Sequence, residues 1–123
     1  MGKIQINRLA TALAATLWLH AGSALADEVT ERAKVLLGSN KGADAYQLLE
    51  PLESARAGDV EFDFLLGLAA LEIGQNTRAV FALERVLAID PNNTRARAEI
   101  ARAYLALGET QTATQEFETV KRQ

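Results

Sequence analysis

The chain has 123 residues, enough for one domain. Hydrophobic residues make up 49%, too many for disorder, while the absence of Cys removes disulfide staples and any lipid-modified N-terminal Cys. A net charge of −3 argues against nucleic acid and anionic lipid surfaces as partners, and the lack of β-branched and aromatic runs points to helices.

Residues 1–26 read as a secretory signal. Lys3 and Arg8 open the chain, and no Asp, Glu, Lys or Arg follows until Asp27. The apolar stretch from Leu9 to Leu19 is short for a membrane span, and Ala24-Leu25-Ala26 is the small-x-small pattern a signal peptidase accepts. An uncleaved anchor or a buried N-terminal helix is the competing reading; the short run and well-formed cleavage site disfavour both. There is no twin Arg, so the general secretion route fits. Cleavage after Ala26 predicts a periplasmic chain, residues 27–123, without an integral membrane segment. It removes Lys3 and Arg8 and no acid, leaving 11 basic against 16 acidic residues.

The next elements are helical pairs. The first helix is expected from about Glu28 to Leu37, stopped by Gly38, and its partner from about Ala43 to Ala55. The loop from Ser39 to Gly42 is expected to break the register, making this unit irregular. Pro51 forfeits a hydrogen bond to the Gln47 carbonyl and predicts a kink. In the second unit, Asp59 is an N-cap candidate, with Glu61 and Asp63 in the first turn where the helix dipole favours anions. The helical run from Phe62 to Ile73 ends at Gly74. A second helix, from about Gln75 to Ile89, carries Ala79, Leu83, Val86 and Leu87 at helical spacing until Asp90-Pro91 stops it. The third unit repeats the plan: a helix from Thr94 to Leu107, Gly108, then a helix from Glu109 to Lys121.

A shift of 34 residues places Gly74 on Gly108, Ala79 on Ala113, Leu83 on Phe117, Val86 on Val120 and Leu66 on Ile100. One helical hairpin cannot bury its own apolar face, whereas stacked hairpins share a continuous core. The predicted units are residues 27–59, 60–93 and 94–123. In the last helix only Ala113, Phe117 and Val120 are apolar, so its outer face is polar, as a terminal repeat requires.

This period resembles the tetratricopeptide repeat. The second unit supplies Leu66-Gly67, Ala79, Leu83 and Pro91 of that pattern, and the third supplies Tyr104, Ala113 and Phe117. Asp63 and Arg97 stand where the family places its first aromatic, Ala70 where it places Tyr, and Ala101 where it places Gly. The small residues Gly67 and Ala101 fit a close approach of the facing helix in the same hairpin. The resemblance implies an all-α, right-handed stack of about three antiparallel helix-turn-helix repeats. The stretch from Ala45 to Asn93 behind a signal also looks like the periplasmic repeat region of bacterial surface lipoprotein assembly modifier-like proteins, without their β-barrel. That kinship implies an alternative role, an accessory periplasmic arm of an outer-membrane export or assembly system.

The chemical inventory is sparse. His20 is the sole His and leaves with the signal, so neither Ser-His-Asp nor Cys-His systems nor the usual zinc ligand sets can be assembled. Glu61/Asp63 and Glu116/Glu118 are two apart and point to different sides of their helices, which suits solvated faces better than acid–base pairs. No Gly-rich phosphate loop follows a strand. No catalysis, cofactor or metal is therefore expected.

A stacked-hairpin protein offers instead a concave groove lined by its first helices. There the second unit presents Glu61, Phe64, Leu68 and Leu71, and the 34-residue shift adds Arg95, Ala98, Arg102 and Leu105. An apolar strip beside two cations suits an extended or helical peptide with a few acidic groups. Two plainer readings stay open: Phe64, Leu68 and Leu71 as core, and Arg95 and Arg102 as exposed intrahelical partners of Glu99. Of the family's clamp for C-terminal carboxylates only Arg95 could match, since Leu65 and Glu99 fill two of the other places. The expected partner is thus a protein or peptide held without that clamp, and the pattern fixes no oligomeric state.

Overall fold

A computed structural model describes residues 27–123. Residues 27–38 form α1, followed by α2 (Gly42–Leu49), a 3-10 turn (Glu50–Leu52) and α3 (Glu53–Arg56). Then come α4 (Val60–Glu72), α5 (Asn76–Ile89), α6 (Thr94–Ala106) and α7 (Thr110–Arg122). No strand occurs among the described residues. Three antiparallel hairpins result, α1 with α2–α3, α4 with α5, and α6 with α7. The expected signal, residues 1–26, lies outside the described residues.

Hydrophobic burial joins each hairpin to the next. Between the first and second lie Ala33, Ala45, Leu49, Phe62, Leu65, Leu66, Ala69 and Ala82. Between the second and third, Leu83 and Val86 pack on Ala96 and Ile100. Small residues are required where helices of one hairpin touch: a Cβ on Gly67 would come 2.6 Å from Leu83 Cγ. That is the close approach the sequence pattern implied.

The helix ends repeat at the same period. Asn40, Gly74 and Gly108 all have positive φ (57°, 76° and 81°). After each, a backbone N–H bonds back to the preceding helix: Lys41 to Leu36 O at 2.9 Å, Gln75 to Ala70 O at 2.8 Å, and Glu109 to Tyr104 O at 2.8 Å. The expected stop at Gly38 is therefore corrected. Gly38 stays helical, and Asn40, a residue whose short polar side chain tolerates the left-handed region, makes the turn. The expected break of register between Ser39 and Gly42 is corrected with it, because the second helices start at Gly42, Asn76 and Thr110, 34 residues apart.

Pro51 marks the irregularity that does occur. The expected continuous helix from Ala43 to Ala55 is divided, with Pro51 at the start of the 3-10 turn, where the lost N–H breaks no ladder. The break leaves Glu50 and Glu53 both facing α5. Arg78 Nη1 donates to Glu50 Oε1 at 3.0 Å and to Tyr46 Oη at 2.6 Å, and Arg85 Nη2 donates to Glu53 Oε1 at 2.9 Å.

Polar pairs occupy the places of the missing aromatics. The Asp63 side chain is 0% exposed and accepts from Arg85 Nε at 3.0 Å, Arg85 Nη2 at 2.7 Å and Gly58 N–H at 2.8 Å. One repeat on, Arg97 donates to Glu116 at 2.8 Å and to Pro91 O at 3.0 Å. Each pair ties the two helices of its own hairpin, with the charges reversed between repeats.

Helix starts are capped in register as well. Asp59 Oδ1 accepts from Phe62 N–H at 3.2 Å, and Asn93 Oδ1 accepts from Ala96 N–H at 2.9 Å. Burial opposes the charge on Asp59, but the Arg56 hydrogen bond and the Phe62 N–H outweigh it and hold its carboxyl below the ordinary 3.8. A depressed carboxylate stabilises the fold above its unfolded pKa, and that contribution is lost as pH falls below about 4 through the folded value. Asp59→Ala is expected to cost about 1 kcal/mol at pH 7. In paired thermal melts its deficit against the parent should shrink as the pH drops below about 4.

Candidate functional site

The first helices of the three hairpins, α1, α4 and α6, line a run of clefts. The largest, about 530 Å³, is walled by Lys34 and Leu37 of α1, Glu61, Phe64, Leu68 and Glu72 of α4, and Arg95 of α6. A second, about 310 Å³, lies between Val60, Glu61 and Phe64 on one side and Asn93 and Arg95 on the other. A third is formed by Leu68, Leu71 and Glu72 with Glu99 and Arg102.

Six of the eight residues read onto the groove face therefore come together, Glu61, Phe64, Leu68, Leu71, Arg95 and Arg102, while the exposed Leu105 lines none of these three clefts. Ala98 is half-buried, one turn from both arginines on α6, and lines none of these three clefts. Core and groove are not alternatives for the apolar members. Phe64 and Leu71 pack against the core between the second and third hairpins while also bordering a cleft. Leu68 is half-buried and borders two clefts.

The charges divide in the same way. Arg102 pairs with Glu99 at 2.7 Å, one of the intrahelical pairs read from the sequence. Arg95 does not use Glu99; its guanidinium lies 4.9 Å from the Phe64 ring centroid, and it has no carboxylate partner among the described residues. A guanidinium stacked on a ring face keeps its edge N–H groups available to an acceptor. Lys34 joins Glu31 on its own helix to Glu61 on α4, and these hydrogen bonds hold its ammonium well above the usual lysine range. The other carboxylates of the two spaced acidic pairs are engaged: Asp63 with Arg85, Glu116 with Arg97 and Glu118 with Lys121.

Sequence reasoning missed Lys34, Leu37 and Glu72. The signal for two of them was available, since stepping back 34 residues from Leu68 and Leu71 reaches Lys34 and Leu37. Among the described residues no group of three or more acidic, His or Cys side chains is placed to hold a metal, and no helix is long and apolar enough to cross a membrane.

Stacked helical hairpins with a 34-residue period and an open inner surface define a repeat solenoid. Tetratricopeptide repeat models match residues 30–94 and 70–123, and the chain belongs to the tetratricopeptide repeat family. Its fold is the right-handed all-α stack of that family. Among solved structures it is similar to MamA (TM-score 0.70, 21% identity, 76% of this chain and 55% of that one). It is also similar to the tetratricopeptide domain of Arabidopsis FLU (0.66, 22%, 77% of this chain and 90% of that one). A third is the second such domain of Spaghetti (RPAP3) bound to the HSP90 peptide SRMEEVD (0.68, 22%, 77% and 88%). The chain thus spans about half the length of MamA and most of the other two domains. No curated protein sequence matches it significantly.

Proposed function

We propose that this protein is a non-catalytic periplasmic scaffold that holds a peptide or a segment of a partner protein against its concave surface. One observation carries this reading: Phe64 and Leu68 line a cleft whose rim holds Arg95, a cation without a carboxylate partner among the described residues. An apolar floor beside such a cation suits an apolar side chain flanked by an acidic group. The peptide complex of the Spaghetti domain lends support by fold, although Leu65 and Glu99 here leave no carboxylate clamp.

Capture from periplasmic extract tests the groove. A partner retained by the parent protein should be lost from both Leu68→Glu and Arg95→Glu, with helical circular dichroism unchanged. Equal retention by both variants would remove the groove assignment. Export is tested separately: intact mass of the periplasmic protein should give an N-terminus at Asp27, and a chain still carrying residues 1–26 would contradict cleavage. The accessory-arm alternative rests on the likeness of the stretch from Ala45 to Asn93, and it requires an adjacent coding segment with alternating strands.

A further inference from the structure

Glu72 closes α4, and the helix itself gives it no partner. One turn before it stand Leu68 and Ala69, and one turn beyond stand Gln75 and Asn76, so no cation lies within reach of an intrahelical pair. A carboxylate in the last turn also faces the negative end of the helix dipole, and α4 has no basic residue there to offset it. The counterparts of Glu72 one repeat away are Gly38 and Ala106, so this charge is no part of the repeating pattern.

The clefts do not neutralise it either. Glu72 is exposed, sharing one cleft with Lys34 and the next with Arg102. Lys34 is held by Glu31 and Glu61, and Arg102 by Glu99. Among the described residues Glu72 has no hydrogen bond and no ion pair. Its side chain is placed nonetheless, because it crosses Gly42 at the start of α2, where a Cβ would collide with its carboxylate. The dipole of α2 offsets that of α4 in part, but no N–H of α2 is donated to the carboxylate.

The main cleft thus carries an anion without a partner at one end and, among the described residues, a cation without a carboxylate at the other. Phe64, beneath the Arg95 guanidinium, Leu68 and Glu72 follow at intervals of four along one ridge of α4. Eight residues of helix advance about 12 Å. Four steps of extended chain advance about 13 Å, and the first, third and fifth side chains point the same way. The cleft, about 530 Å³, is the size of a small-ligand site, which suits a few extended residues better than a helix roughly 10–12 Å across.

We propose that this cleft selects an extended segment of a partner protein in which an acidic, an apolar and a basic side chain alternate with two outward-pointing residues. Arg95 takes the acid, Leu68 the apolar group and Glu72 the base. This deepens the concave-groove reading and rests on it; Glu72 is what it adds.

The test uses three labelled peptides, serine-flanked Glu-Ser-Leu-Ser-Lys, its reverse Lys-Ser-Leu-Ser-Glu, and the diacidic Glu-Ser-Leu-Ser-Glu, titrated with the protein at low salt and followed by fluorescence anisotropy. One of the two mixed-charge peptides is expected to bind about fivefold tighter than the diacidic one, with the difference shrinking in high salt. Glu72→Lys protein should prefer the diacidic peptide instead; a lysine suits the end of a helix, so this variant should fold. Leu68→Glu should abolish binding of all three. Equal affinity of the parent for the three, or a preference that Glu72→Lys leaves unchanged, would overturn the charge selection. If Leu68→Glu still abolished binding in that case, the groove reading would stand. Undiminished binding by Leu68→Glu protein would remove both. Absence of saturable binding would overturn the selection alone, since capture of a partner tests the groove separately. A stronger Glu72-dependent preference for a helical peptide with its charges eight residues apart would overturn the extended spacing.

Discussion

Phe62→Ala is expected to destabilise the protein by about 4 kcal/mol and to release the first hairpin before the other two. The Phe62 ring is fully buried in the cluster joining α1 and α2 to α4, with the Arg56 guanidinium 4.9 Å from its centroid. Truncation removes the transfer free energy of the ring and leaves a cavity among Ala33, Leu49 and Leu66, whose backbones are fixed by three helices. A repeat stack is held by interface terms between neighbours, so this loss falls on one interface. For a domain of this size it corresponds to a fall in Tm of about 15–30 °C. Hydrogen exchange should show α1 and α2 losing protection most while α6 and α7 retain theirs. A uniform loss across all helices would mean that the hairpins do not behave as separable units.

The second large effect is expected at Arg85. Arg85→Ala strands the Asp63 carboxylate, which is fully buried and keeps only the Gly58 N–H as a donor. Removing one partner of a buried pair is far costlier than replacing both, so about 3 kcal/mol is expected from the single change. The figure stays at the low end because the Arg85 side chain is 30% exposed and water can reach part of the site. The double variant Asp63→Leu with Arg85→Leu should recover most of that loss, since no buried charge then remains. Urea titrations of the parent, single and double variants measure this directly. A double variant no more stable than Arg85→Ala would show that the pair is not what makes the single change costly.

Most of the architecture was written in residues with one dominant physical role. Gly74 and Gly108 supply positive φ, Pro91 ends a helix, and the 34-residue recurrence of Ala79, Leu83 and Val86 defines the shared core. The first unit was harder to read because Asn40 makes the same turn as those glycines, and Gly38 two residues earlier drew the boundary away from it. Pro51 was legible as a disturbance but not as a 3-10 turn, since the contacts around that turn, Glu50 with Arg78 and Glu53 with Arg85, span 28 and 32 residues. The same limit applies to the aromatic positions. Asp63 and Arg97 appeared as departures from a pattern, and only tertiary contacts make each one half of an ion pair within its hairpin. Periodicity selected the face of α4 and α6 that borders the clefts. It could not tell that Arg95 turns onto Phe64 while Arg102 turns onto Glu99, because either arginine has Glu99 within one helical turn.

The concave surface as the place of partner binding is tested most directly by amide shift mapping on isotope-labelled protein, titrated with the segment of the captured partner that binds it. The account predicts the largest perturbations in Glu61 to Glu72 of α4 and Arg95 to Arg102 of α6, with Lys34 and Leu37 of α1 following. Perturbations confined to α2, α5 and α7, the second helices of the hairpins, would contradict it.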